Sequence, residues 1–274
     1  MSDLGAALRA AREAAGVSLS GMAARTHYSK PLLGLLETGK RTIKPEHVEA
    51  YSRELNVPIQ GPSDDPLRVA HEWLVSDSFT VVQSGTGRRV GSTLLAELEK
   101  RVIELRHLDD LVNSDDLFPI VRKELSGVHE LIQAASYTQK TGRRLLRVAA
   151  EFAQLAGWTA SDAGRYSEAQ RIYLSGASAA REANDSVLVA QLLSSLSYQM
   201  ANVGNPCDAA LLERSAEKGA VGASSIVRAL LLGQVAWASA KNRDHADTRR
   251  ALEAVNDAYE SRSSAIIEPE WVTG

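Results

Sequence analysis

VSLSGMAARTHYSKPLLGLLETGKR, residues 17–41, is the stretch that decides the fold. Ser18 and Ser29 each stand immediately before a segment with apolar residues at helical spacing, and a serine hydroxyl accepts readily from the free N–H groups of a first helical turn. The pattern predicts two short helices and a turn, with Leu19, Met22 and Ala23 inward from the first and Leu33 and Leu36 from the second. Gly39 ends the second helix. Such a helix-turn-helix presents its second helix to a major groove. Five basic residues (Arg25, Lys30, Lys40, Arg41, Lys44) face one acid, Glu37, on a chain whose net charge is −3. A local cationic excess on an acidic chain is a footprint for phosphate.

Around this stretch, Leu8 and Arg12 lie in a preceding amphipathic segment, and Pro45 opens a further helix to about Leu55. With the S-x-x-x-M-A of residues 18–23 and the S-x-x-x-L-x-x-L-E-x-G of residues 29–39, this resembles the Cro and phage-repressor (XRE-type) helix-turn-helix family over roughly residues 4–57. The resemblance implies that Glu37 pairs with Arg12, tying the first helix to the recognition helix. It also implies a surface for double-stranded DNA made by Ser18, Arg25, Ser29, Lys30, Pro31, Leu32, Gly34, Leu35, Lys40, Arg41 and Lys44. Two departures matter. Leu19 stands where the family often has Gln, and the recognition positions Lys30 to Leu35 carry few polar groups. Bidentate base contacts are therefore scarce, so the reading predicts thymine-methyl contacts from Leu32 or Leu35, one base contact by Lys30, and a large share of readout through DNA shape. The alternative is that Leu32 and Leu35 pack in a dimer or interdomain contact.

Residues 1–57 form an expected five-helix unit with eight Lys and Arg against six Asp and Glu, a charge of +2 that leaves −5 for the remainder. Three prolines between Val57 and Pro66 break any continuing helix, which places a head at 1–60. Residues 61–91 read as a linker holding one short helix, Leu67 to Val75, an extended Thr80 to Gln83, and a glycine-rich Ser84 to Gly91. That last segment lacks the Gly-Lys-Ser/Thr ending of a phosphate-binding loop. The rest, 92–274, opens with an apolar stripe on one helix from Ser92 to Val112, and Asp115, Asp116 and Pro119 then turn into a helix reaching about Ala135.

From there the chain repeats. Residues 157–169 align with 197–209 at an offset of 40, and those with 236–248 at 39, superposing Trp158, Tyr198 and Trp237. Gly164 to Tyr173 resembles the turn and second helix of a tetratricopeptide repeat, with Ala169, Tyr173 and Gly176 at that motif's packing positions. The spacing exceeds the motif's usual ~34, so lengthened turns are expected near Asn184 and Gly219 to Ser224. The resemblance implies stacked helical hairpins with a concave groove lined by Gln154, Trp158, Ser161 and Asp162, then Gln191, Ser194, Tyr198 and Asn202, then Trp237 and Lys241. A recurring aromatic beside amides and charges is what a peptide or small-molecule groove uses; inter-repeat packing is the other reading of the same rings. The Lys/Asn pattern of the chaperone-tail carboxylate clamp is absent, which disfavours that ligand class.

Composition bounds the remaining classes. One cysteine, Cys207, excludes an intrachain disulfide and a cysteine-based metal site, and fits a reducing cytoplasm. The N-terminus mixes charges through an amphipathic pattern and is no signal peptide, and no apolar run approaches a membrane span. No H-E-x-x-H, G-x-S-x-G or paired carboxylate in an apolar setting is present, so catalytic residues, metal ligands and cofactors are all expected to be none. The expected fold class is all-α: a five-helix helix-turn-helix head followed by a tetratricopeptide-like superhelix. The combination resembles peptide-sensing and other repeat-bearing XRE-type bacterial regulators, which implies a cytoplasmic, homodimeric transcriptional regulator whose repeats bind a peptide, small molecule or protein. The alternative is an interaction scaffold with a degenerate head. The third repeat's second helix leaves an apolar face, expected to be covered by a second subunit or to mark a truncated chain.

Overall fold

The computed structural model of the chain describes residues 3–41, 43–55, 65–75, 90–263 and 268–273. Two compact units divide it, Met1–Ser63 and Asp64–Gly274. The first holds α1 (Asp3–Ala14), α2 (Leu19–Thr26), α3 (Lys30–Glu37) and α4 (Pro45–Leu55). The second holds α5 (Pro66–Val75), α6 (Ser92–Asp109), α7 (Ser114–Ala134), α8 (Gln139–Asp162), α9 (Tyr166–Glu182), α10 (Ser186–Val203), α11 (Pro206–Gly219), α12 (Ser225–Lys241), α13 (His245–Glu260) and α14 (Glu270–Thr273).

The first unit closes on Leu8, Met22, Leu33, Leu36, Tyr51 and Leu55, one or two from each helix. Ser18 accepts from the Gly21 amide at 3.0 Å and Ser29 from the Leu32 amide at 3.3 Å, so both helices of the central motif start where their serines cap them. Gly39 adopts φ +68°, the left-handed region that stops α3. Four helices stand among this unit's described residues where five were expected. The next helix, α5, instead buries its apolar face on the second unit: Leu67, Val69, Ala70 and Trp73 all join that unit's main core. Residues 61–91 are thus only partly a linker. Thr80 to Gln83 and most of the glycine-rich segment lie outside the described residues.

In the second unit, α8/α9, α10/α11 and α12/α13 are three stacked hairpins with their turns at 163–165, 204–205 and 242–244. Asp185, Asn205, Ser224 and Asp244 cap α10, α11, α12 and α13 through their side chains. Gly176 of α9 admits Ala153 and Leu192 so closely that an added Cβ would lie 2.7 and 2.8 Å from them, which lets consecutive hairpins nest. Gly157 does the same for the Tyr173 ring, at 2.5 Å. The long repeat is not absorbed at Asn184, which takes a left-handed backbone (φ 61°) in the short turn 183–185 between α9 and α10. It goes into the helices, which run to 24 residues in α8 and 18 in α10, and into the looser connection at 220–224. The stripe expected to end at Val112 stops with α6 at Asp109, and Leu111 and Val112 are exposed beyond it.

Candidate functional site

On the head, Arg25, Ser29, Lys30, Pro31, Lys40, Arg41 and Lys44 are all exposed, as is Ser18. Leu33 and Leu36 anchor α3 in the core, so its opposite face carries Lys30, Pro31, Gly34 and Leu35 outward. Leu35 is 39% exposed, whereas Leu32 packs against the head's own core. Thr38 closes the helix by donating its hydroxyl to Gly34 O at 2.7 Å, and the Lys40 and Arg41 amides both donate to Leu35 O. The two basic residues are thereby held on the turn that follows the recognition helix.

A buried network fixes α3 in place. Arg12 Nε and Nη2 donate to the two oxygens of Glu37, each at 2.7 Å, and Arg12 Nη1 donates to Val17 O at 2.9 Å. Tyr51 Oη donates to Glu37 Oε1 at 2.8 Å. The carboxylate thus joins α1, α3 and α4. Sequence reasoning anticipated the first partner and missed Tyr51, whose only local signal is an aromatic on the apolar face of α4. Burial, then the Glu37 bond, raises the Tyr51 hydroxyl well above its ordinary range. His47 is buried, accepts the Lys44 amide on Nδ1 at 3.0 Å, and meets the Tyr28 ring edge-on at 5.2 Å between centroids. Burial lowers its pKa, because the charged imidazolium loses hydration and cannot accept that bond.

In the repeats the three superposed aromatics form a ladder. Tyr198 stacks between Trp158 and Trp237, its centroid 5.8 Å from each, with interplanar angles of 27° and 29°. Lys241 Nζ closes the end at 4.8 Å from the Trp237 centroid. Inter-repeat packing is what the rings show: their faces contact neighbouring repeats, at about 0.5–1.5 kcal/mol per stacked pair, while Trp237 is 41% exposed and the other two are half-buried. A ligand would meet ring edges. Those edges carry two indole N–H groups and a phenol O–H, none bonded to another described residue.

The remaining groove positions divide into exposed and structural sets. One helical turn past the ladder, Asp162, Asn202 and Lys241 are exposed and form a second row running from anionic through neutral to cationic. Asn202 donates its amide to Tyr198 O at 2.8 Å. Ser161 and Gln191 are half-buried. Gln154 and Ser194 are buried, at 5% and 4% exposure. Gln154 accepts from Arg106 Nη1 at 2.6 Å and donates to Ser195 Oγ at 3.2 Å, so it ties α6, α8 and α10 together instead of facing the groove. The reason is α6, whose packing against α8 covers that position and could not be read from the repeat alignment.

Below Ser194 lies Glu213, wholly buried, with neither carboxyl oxygen in a hydrogen bond; Ser197, close by, donates to Ala209 O. Burial pushes this carboxyl up to about 8, partly offset by the nearby Ser194 and Ser197 hydroxyls.

The helix-turn-helix domain family matches residues 3–60 of the chain. No curated protein matches it. Among solved structures, Bacillus thuringiensis PlcR in complex with the peptide PapR7 and DNA is similar at 9% identity and a TM-score of 0.38, covering 95% of each chain. The SHP pheromone receptor Rgg2 of Streptococcus dysgalactiae is similar at 14% identity and a TM-score of 0.30, covering 95% of this chain and 100% of that one.

Proposed function

From this helix-turn-helix head and these stacked hairpins, we propose that the chain is a sequence-specific DNA-binding transcriptional regulator whose repeat groove binds a peptide or small molecule that modulates its grip on DNA. The observation that carries the reading is the recognition helix. It is anchored from behind by Leu33, Leu36 and the Glu37 network, open in front, and followed at once by exposed Lys40 and Arg41. Such cations position a protein on phosphates, while the helix face reads the groove. With Leu32 turned toward the core, Leu35 and Lys30 are the side chains left for base edges, and shape readout carries the larger share.

The ladder supports the sensing half, because its edges offer unpaired donors on a rigid apolar strip. In this reading the protein works in the cytoplasm, without catalysis, as a homodimer, since one head spans one half-site and useful specificity needs two, about 34 Å apart. The sparse polar content of α3 keeps one rival, a protein-interaction scaffold. Selection of bound fragments from a genomic DNA library at several salt concentrations separates the two. A regulator enriches particular sites and shows a steep log-log salt slope. Retention of all fragments alike, or of none, refutes the regulator.

A further inference from the structure

The basic residues that follow the recognition helix lie on one short segment, Lys40 to Lys44, and its two ends are held differently. At the α3 end the Lys40 and Arg41 amides donate to Leu35 O at 2.9 and 3.2 Å. At the α4 end the Lys44 amide donates to His47 Nδ1 at 3.0 Å, and the His47 amide donates to Lys44 O at 2.9 Å. Ile43, between the two ends, packs against the head's core. A backbone carbonyl accepts at any pH. An imidazole nitrogen accepts only while it carries no proton, so the Lys44 bond requires the neutral ring with its hydrogen on Nε2.

Lys44 stands immediately before α4, and His47 is the third residue of that helix. A side chain at this position commonly reaches back to the amide ahead of the helix, and Glu or Gln is its usual occupant. Histidine does the same without setting another acid beside Lys40, Arg41 and Lys44. His47 is 6% exposed and meets Tyr28, in the α2–α3 turn, edge-on, so its acceptor is fixed in direction. Burial is the first influence favouring the neutral ring; among the charged neighbours Glu46 opposes it, and Lys44 and Arg41 add to it. Glu46 is itself engaged by Lys44 Nζ at 3.7 Å. A proton on Nδ1 removes the acceptor, turns a donor against the Lys44 N–H and places a cation at the positive end of α4. The Lys44 end of the segment then loses its tie to α4, while Leu35 O keeps the other end.

We propose that His47 is a positioning residue for DNA: through Nδ1 it holds Lys44 and the basic segment in place for the phosphate backbone, and protonation of that nitrogen releases the hold. The proposal rests on the reading of the chain as a DNA-binding regulator. Because the segment meets phosphates, the effect is the same for every DNA sequence. Two variants separate the acceptor from the proton. His47→Asn sets an amide oxygen close to the place of Nδ1 and accepts at every pH, whereas His47→Phe keeps a ring against Tyr28 and accepts at none.

Hydrogen exchange at residue resolution on the full chain, free of DNA, reads the Lys44 amide as a protection factor at about pH 7.5 and about pH 5. The parent should lose about three- to tenfold of that protection at the lower pH, His47→Asn none, and His47→Phe should lack it at both. Amides of α1 and α3 should stay protected throughout, which shows that the head remains folded. Fluorescence anisotropy of a labelled mixed-sequence duplex, at one salt concentration, then compares DNA affinity. Parent and His47→Asn should bind alike at about pH 7.5, and the parent about three- to tenfold more weakly than His47→Asn at about pH 5. Comparing the two proteins at one pH cancels the general gain of positive charge on acidification. Lys44 protection that falls equally in parent and His47→Asn, or in neither, overturns the proton-sensitive hold. Protection that changes as expected beside an unchanged affinity ratio overturns the role in DNA binding and leaves a cap that only stabilises α4. Absence of duplex binding by all three proteins at both pH values refutes the regulator reading and the DNA role with it, while the exchange measurement still decides the hold on Lys44.

Discussion

Replacing Glu37 by Ala should uncouple the head from its own recognition helix. The substitution deletes three short bonds at once, the two 2.7 Å bonds from Arg12 and the 2.8 Å bond from Tyr51, in a place where the Glu37 side chain is 4% and the Arg12 side chain 10% exposed. Removing one partner of a buried ion pair leaves the other desolvated and unmatched, at a cost of about 3–5 kcal/mol. A unit of this size has a total stability on the order of 3–9 kcal/mol at the usual per-residue yield, so most of it is lost. Hydrogen exchange followed by mass spectrometry on the full chain reads this region by region. Amides of α1, α3 and α4 should lose roughly a hundredfold or more of their protection, while α8 to α11 keep theirs. The companion variant Arg12→Met/Glu37→Leu/Tyr51→Phe removes all the polar partners together and should recover most of the loss, because no buried charge is left unmatched. Head protection unchanged in Glu37→Ala, or a triple variant as unstable as the single, would refute the account of this network.

Arg41→Ala should weaken binding to all DNA sequences alike and flatten the salt slope by about one, whereas Lys30→Ala should re-rank the preferred sites in the same binding-selection experiment. For Glu213, the fold holds the proton up to about pH 8 while the unfolded chain releases it near the ordinary carboxylate range, so the unfolded state binds fewer protons in between. Stability should therefore fall as pH rises from about 4.5 to about 8, by about 1.4 kcal/mol per unit at most, and level off above. Glu213→Gln should abolish that component in denaturant titrations across the range. Arg243 sits at φ 60° in the α12/α13 turn, at the position where Gly164 serves the first repeat. Arg243→Gly should leave the fold intact and raise the repeat unit's stability by about 0.5–1 kcal/mol, read from its denaturation midpoint.

Helix boundaries and repeat register are local properties, and the chain carries them openly. Ser18 and Ser29 cap within their own first turn, Gly39 stops its helix by adopting a backbone that other residues avoid, and the offsets of 40 and 39 set Trp158, Tyr198 and Trp237 in one row. Each signal acts over a few residues or repeats in register, so the amino acids alone determined an all-helical head and array, and even the pairing of Arg12 with Glu37 through the family pattern. What lies opposite each face depended on segments far away in the chain. Gln154 has a groove position by repeat register, and α6, whose Arg106 arrives from 48 residues away, turned it into a buried tie. The matching sites 173 and 213 hold a tyrosine and a glutamate, and only packing decided that both would be sealed from water without a partner. Trp73 reads as part of a linker until Gly219 admits it to within 2.3 Å of where a Cβ would stand. Propensity and capping depend on a residue and its neighbours within one turn, whereas burial and polar satisfaction depend on which surfaces meet, and that is settled only when the helices pack.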